Sequence, residues 1–332
     1  MRIFRITIFF ACASLILSYL FRPVGLTLAP LASEQSQKLT RANIDTMMQE
    51  LSNWGRWGKD DQIGAVHLIT PAVRKAAAAL VKDGVAISLS RRLDTQKALD
   101  NESPFALTPT RDGDFAMDEY KLAYHGFAHT HMDALGHMSV GGKSYNGFPS
   151  LAAGKGISRL AVENYKEGIF TRGVLIDLPR LKGVKYLEPG TAIYPTDLDA
   201  WEKMSGIRVG AGDAVLIRTG RWARRAETGP WAAQERMAGL HASSARWLKQ
   251  RDVAVFVSEG PGDVLPSGVD GVPWPLHQLL LISMGVPMLD NCDFEELTRA
   301  AVARNRWTFL FSVAPLRAES ATGGPVNPLA IF

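Results

Sequence analysis

Cysteine is nearly missing from this chain. Cys12 and Cys292 are the only two in 332 residues, too few for a disulfide framework, and Cys12 falls in a segment expected to be removed. One lone thiol then remains, which suits any compartment. An excess of one charge is missing too: 37 Lys and Arg against 33 Asp and Glu leave a formal +4. That charge is not gathered into a basic stripe of the kind that grips a phosphate backbone, so nucleic acid is not expected as a partner. No G-x-S-x-G elbow, P-loop or dinucleotide fingerprint is present, which disfavours nucleophilic-serine and nucleotide chemistry. From Ser33 onward no repeat, low-complexity tract or shift in composition divides the chain. What is there, 46% hydrophobic and 21% charged residues, is the composition of an ordinary globular protein able to bury a sizeable core.

The N-terminus reads Met1-Arg2-Ile3-Phe4-Arg5, then an apolar run from Ile6 to about Phe21, then small residues ending Ala29-Pro30-Leu31-Ala32-Ser33. A basic start, an apolar stretch and a small-residue site predict a signal peptide or N-terminal membrane anchor over residues 1–32. The protein is therefore expected to be exported, periplasmic or secreted, and membrane-anchored if the segment is retained. Cys12 sits inside the apolar run rather than after it, which does not suit a lipoprotein. Residues 33–332 read as one domain.

Within it, helix and strand signals alternate. Thr70-Pro71 opens an Ala-rich helix through Lys82, with Gly84 just past its end. Strands are expected at Val85 to Leu89, Val174 to Leu178, Ala214 to Ile217, Val253 to Val257, Pro287 to Leu289 and Thr308 to Val313. Helices are expected from Thr196, over His241 to Gln250, over Pro275 to Met284 and over Phe294 to Arg304. The alternation predicts an α/β fold with a largely buried sheet.

The chemistry concentrates in Tyr124-His125-Gly126-Phe127-Ala128-His129-Thr130-His131-Met132-Asp133-Ala134-Leu135-Gly136-His137, which holds four of the chain's seven histidines. If the segment is extended, alternate side chains share a face, so His125, His129, His131 and Asp133 point one way, with His137 following after a turn-prone glycine. Imidazole and carboxylate are ligands of Zn²⁺ and of harder ions such as Mn²⁺, and a three-ligand site leaves positions open for water and substrate. His67 and His241, outside this run, read as structural.

His131-Met132-Asp133-Ala134-Leu135-Gly136-His137 resembles the second half of the H-x-G-T-H-x-D-A-x-x-H signature of the cyclase-like metal-dependent hydrolases, which include bacterial kynurenine formamidase and isatin hydrolase. The resemblance implies that His131 and Asp133 bind the metal and that His137 is the acid/base residue. The first half departs from the signature: Phe127 stands where its first histidine is expected and His129 where its glycine is. His125 or His129 is left to complete the shell. Trp54-Gly55-Arg56-Trp57 resembles the family's N-terminal aromatic segment, implying substrate contact by Trp54 and Trp57. Arg218-Thr219-Gly220-Arg221-Trp222 and Gly323-Gly324-Pro325-Val326-Asn327-Pro328 also resemble the longer bacterial members. By the same resemblance His277, in a C-terminal helix, and Asp290, at the end of the next strand, match positions that bind a second metal in two-metal members; without that metal His277 would hold water or substrate. The implied fold is the family's swivelling β/β/α type, mixed β-sheets with flanking helices, and the implied assembly is a homodimer or homotetramer.

The expected function is metal-dependent, arylformamidase-like hydrolysis of a C–N bond in a small-molecule amide, N-formyl or cyclic. One or two divalent ions, Zn²⁺ or Mn²⁺, would serve it, and no organic cofactor. Opening of a lactone or cyclic imide, or a dehydrating cyclisation, would use the same groups. An exported metal- or solute-binding protein without turnover is the alternative outside enzymes.

Overall fold

In the computed structural model, which describes residues 38–150 and 156–332, the apolar runs become the middle of one large sheet. The expected signal peptide or anchor over residues 1–32, and Cys12 within it, lie outside the described residues. In chain order the strands are β1 (Ala86–Ser88), β2 (Ala106–Asp112), β3 (Phe115–Lys121), β4 (His131–Asp133), β5 (Ile169–Asp177), β6 (Ala192–Ile193), β7 (Ala214–Arg218), β8 (Gly239–Leu240), β9 (Val255–Ser258), β10 (Met288–Asp290), β11 (Thr308–Val313), β12 (Gly323–Pro325) and β13 (Leu329–Ile331). The helices are α1 (Arg41–Glu50), α2 (Pro71–Ala78), α3 (Leu178–Lys182), α4 (Pro195–Ser205), α5 (Arg221–Thr228), α6 (Ser244–Gln250), α7 (Pro275–His277) and α8 (Glu295–Arg304). A π-helical segment, Gln278–Met284, continues directly from α7.

Nine strands form a mixed sheet in the order β1-β13-β11-β5-β7-β9-β10-β4-β12. Its centre, β5-β7-β9-β10, is parallel, and its flanks are antiparallel. Parallel neighbours need crossover connections and are covered on both faces, so their residues are apolar without alternation. Val174, Leu175, Ile176, Val215, Leu216, Val255, Phe256 and Val257 are accordingly all fully buried. Helices α3 and α4 lie in the crossover from β5 to β7, α5 and α6 in that from β7 to β9, and α7 in that from β9 to β10. This is the mixed α/β architecture with flanking helices that the sequence predicts.

Several elements differ from expectation. The Thr70 hydroxyl caps α2 by accepting from the Val73 amide, but the helix stops at Ala78, short of Lys82. Tertiary contacts take the chain there: Arg306 donates to the Leu80 carbonyl, and the Asp83 and Gly84 amides donate to the Phe332 carbonyl. The capped helix α1 and the β2-β3 hairpin were not anticipated. The hairpin pairs Asp112 with Phe115 across a two-residue loop, Gly113-Asp114, and its strands are exposed throughout. Mixed polar and apolar residues on both faces hide it from a periodicity argument, and the Asp-Gly dipeptide was its one local signal. No helix among the described residues is long and apolar enough to cross a membrane.

Candidate active site

Strand β4 is three residues long and lies between β10 and β12. His131 and Asp133, two apart, share one of its faces, while Met132 points into the core at 0% exposure. Asp290, the last residue of β10, is paired directly opposite His131. His277 ends α7, and His137 follows a turn closed by its own amide donating to the Ala134 carbonyl. His125 reaches the same place from the segment between β3 and β4.

The groups converge on Asp133. Its Oδ1 lies 3.1 Å from His125 Nδ1 and 3.5 Å from His131 Nε2, and its Oδ2 lies 3.7 Å from His137 Nε2 and 3.8 Å from His277 Nε2. His277 Nε2 is also 3.8 Å from Asp290 Oδ2. The ligand atoms of His125, Asp133 and His137 lie within 4.8 Å of one another, and so do those of His131, Asp133 and Asp290. His125 and His137 are stacked, 4.3 Å between centroids and 12° between planes.

Hydrogen bonds fix which ring nitrogen is offered. His131 Nδ1 lies 2.8 Å from the His129 carbonyl oxygen, which can only accept, so Nδ1 carries the proton and Nε2 turns a lone pair toward Asp133. His277 Nδ1 lies 2.6 Å from Asp263 Oδ2, and the same carboxylate accepts from the Leu276 and His277 amides.

The protonation states follow the surroundings. Burial lowers the pKa of His131 and that of His137 to about 4, the pull of Asp133 only partly offsetting it. Burial would lower His277 as well, but the hydrogen bond and charge of Asp263, with Asp290 and Asp133 beyond, raise it to about 9. Burial would raise Asp133, but the imidazoles of His137, His131 and His125 hold it well below the usual carboxylate range. Asp290 is pushed up by burial and by the charge of Asp133.

Neither Asp133 Oδ1 nor Asp290 Oδ1, both buried, accepts an aligned hydrogen bond. Two buried carboxylates with unsatisfied oxygens are costly unless a cation shares them. Imidazole nitrogen with carboxylate oxygen is a donor set for Zn²⁺ or Mn²⁺, so the residues fit a divalent ion. The cavity above them, about 320 Å³, is also lined by Phe127, Met138, Pro261 and Trp274. The Trp274 ring stands 6.4 Å from that of Phe127 and edge-on to His277 at 5.6 Å.

The structure brings His125, His131, Asp133, His137, His277 and Asp290 together, but not His129. The chain before β4 is bent rather than extended, which breaks the alternation expected to put His129 on this face. His129 Nε2 lies 3.4 Å from the Ser103 carbonyl, and the ring lines a separate cavity of about 240 Å³ with Leu99, Asp100 and Glu102. Trp54 and Trp57 also lie away from the lining of the histidine cavity. The Trp54 indole donates to the Ile282 carbonyl at 2.6 Å, and Trp57 stacks on His67 at 5.5 Å. The sequence reading missed Asp263, Trp274 and the wall made by Phe127; the first two come from sequence positions far from the histidine cluster, with no local spacing to mark them.

A family model described as a putative cyclase matches residues 87–262. No curated protein matches the chain. A crystal structure described as a novel cyclase has a TM-score of 0.77 at 28% identity, covering 85% of this chain and 100% of its own. An isatin hydrolase bound to the product analogue thioisatinate has a TM-score of 0.55 at 22% identity, covering 78% and 95%. Isatin hydrolase A from Ralstonia solanacearum has a TM-score of 0.54 at 22% identity, covering 79% and 98%. At these identities the two isatin hydrolases share the fold with this chain.

Proposed function

The chain belongs to the putative cyclase family, and from that premise we propose that it is a metal-dependent hydrolase cleaving the C–N bond of a small amide, N-formyl or cyclic. The observation that carries this reading is the pair of buried carboxylates, each with an unsatisfied oxygen, set among four imidazoles at an open cavity. His131, Asp133 and Asp290 would hold the ion, and His125, close to Asp133, would take the place that the departure at Phe127 left open. A divalent ion bound there supplies Lewis acidity toward a carbonyl and makes a neighbouring water easier to deprotonate.

The chain's own groups do the rest. His137, neutral at pH 7 because burial lowers its pKa to about 4, takes a proton from water at Nε2 and returns it to the departing nitrogen. Asp263 holds the His277 ring with Nε2 turned toward both carboxylates. Phe127, Met138 and Trp274 give the substrate an apolar wall and keep bulk water away, which strengthens electrostatic interactions inside. Water adds across the bond, giving a carboxylic acid and an amine.

Elemental analysis of protein loaded with Zn²⁺ or Mn²⁺, beside His131→Ala treated identically, tests the first half of the reading. Near-stoichiometric metal lost in the variant is expected. A panel of N-formyl arylamines, cyclic amides and lactones then tests the reaction: turnover of an amide, abolished in His137→Ala with metal retained. Metal without turnover of any panel member would leave a binding protein, and no metal after reloading would end the proposal.

A further inference from the structure

Arg221, the second arginine of the Arg218-Thr219-Gly220-Arg221-Trp222 motif, takes no part in the reaction outlined above, yet it is 2% exposed. It opens α5 and lies beside two tryptophans, its guanidinium 4.2 Å from the Trp222 ring and 5.8 Å from that of Trp231. A buried guanidinium is normally paired with carboxylates. The nearest here, Asp100, stands 3.9 Å off. The two Nη groups donate to neutral oxygens on three separate segments, the Glu259 carbonyl at 2.8 Å, Asn291 Oδ1 at 2.6 Å and the Phe127 carbonyl, while Nε makes no hydrogen bond.

Asn291 extends the same clamp. Its Nδ2 donates to the Gly126 carbonyl at 2.8 Å and the His129 carbonyl at 3.1 Å, and its own carbonyl accepts from the Thr130 hydroxyl at 2.8 Å. Its φ of 56° is left-handed, a conformation that Asn tolerates better than most residues. Residues 125–129 make no main-chain hydrogen bond to another main-chain group among the described residues. This strap carries His125 to Asp133 and sets Phe127 in the cavity wall, and it also parts the cavity from its neighbour, since His125, Gly126 and Phe127 line both.

We propose that Arg221 and Asn291 are positioning residues that hold the strap 125–130 in register, so that His125 and Phe127 face the reacting groups. The proposal rests on the reading of the cavity as the active site, but the geometry of the clamp can be tested without substrate or metal. Arg221→Lys keeps the charge and loses the fork that spans three oxygens. Asn291→Asp keeps an acceptor for Arg221, and with it an ion pair, but loses the donors to Gly126 and His129.

Limited chymotrypsin digestion of the metal-free protein, with the cuts mapped by mass spectrometry, is the first measurement, because the clamp bonds end on strap carbonyls. Both variants are expected to be cut at least tenfold faster at Tyr124 or Phe127, with β5, β7 and β9 cut no faster than in the wild type. Displacements of this kind cost up to about 100-fold in rate, so kcat of the loaded variants is expected to fall tenfold or more, with KM changed less. If Arg221→Lys does not fold, Asn291→Asp alone decides, because its ion pair preserves the core contact. Strap cleavage at the wild-type rate, or faster cleavage spread evenly over the sheet, would overturn the clamp. Faster strap cleavage in a protein that hydrolyses no panel member would uphold the clamp and overturn only the reading of the site.

Discussion

His277 is held by one carboxylate at two levels, Asp263 bonding both its ring and the amides that begin its helix. Its pKa of about 9 lies above the ordinary 6.5, so the folded chain binds this proton more tightly than the unfolded chain does. The stability this contributes is fully present below about pH 6.5 and is lost as pH rises through about 9. In the metal-free protein Asp263→Asn is therefore expected to lower the His277 pKa, seen by NMR titration of its ring. It is also expected to flatten the fall of the melting temperature between pH 6.5 and 9. An unchanged titration would show that Asp263 does not set the charge of His277. At this scale the sequence was most informative where chemistry is packed into neighbouring positions: His125, His131, Asp133 and His137 lie within one short segment, and their residue types alone suggest a cation. Asp263 and Arg221 could not be read in the same way, because their roles depend on partners 14 and 94 positions away that only the folded sheet brings near.

The short strand β4 is confined on both edges. On one side it pairs with β10, which sets Asp290 opposite His131; on the other it meets Gly323 and Gly324 of β12, opposite Asp133 and Met132. A Cβ at Gly323 would overlap the Met132 carbonyl oxygen and touch the His125 ring at 3.1 Å. Gly323→Ala must therefore push β12 and β4 apart and also crowd the His125 ring. It is expected to destabilise the protein by about 1–3 kcal/mol, the usual range for overpacking, and to weaken metal binding measured by chelator competition. A melt and an affinity equal to wild type would mean that the edge yields freely. Elements with a strong apolar run were legible, as Ala214 to Ile217 illustrates, because burial on both faces leaves a plain record in composition. Strand β4 was legible by its histidines rather than by any period, since three residues are too few to display one. The bend before it, which removes His129 from the group, is met by donors from Arg221 and Asn291, 94 and 165 positions from their strap partners, and so leaves no local mark.

At the scale of the whole molecule, the sheet is assembled from distant parts of the chain. Strand β13, near the C-terminus, lies between β1 and β11, and beside it Phe332 is buried while its carbonyl accepts from Asp83 and Gly84. Deleting residues 326–332 would separate β1 from the rest of the sheet and open the core around Phe309, whose ring lies 5.4 Å from that of Phe332. The truncated chain is expected to lose its cooperative thermal transition by circular dichroism; a melt near that of the full chain would show that the edge is dispensable. The pairing of β4 with β10 carries a different consequence, one of timing. Thr130 and Asn291, joined by a hydrogen bond, are 161 positions apart, so a ribosome delivers His125, His131 and His137 long before it delivers His277 and Asp290. Contacts this far apart in sequence form late, after the loop between them has closed. A nascent chain thus offers an ion only an incomplete set of ligands, and tight capture waits for the finished fold.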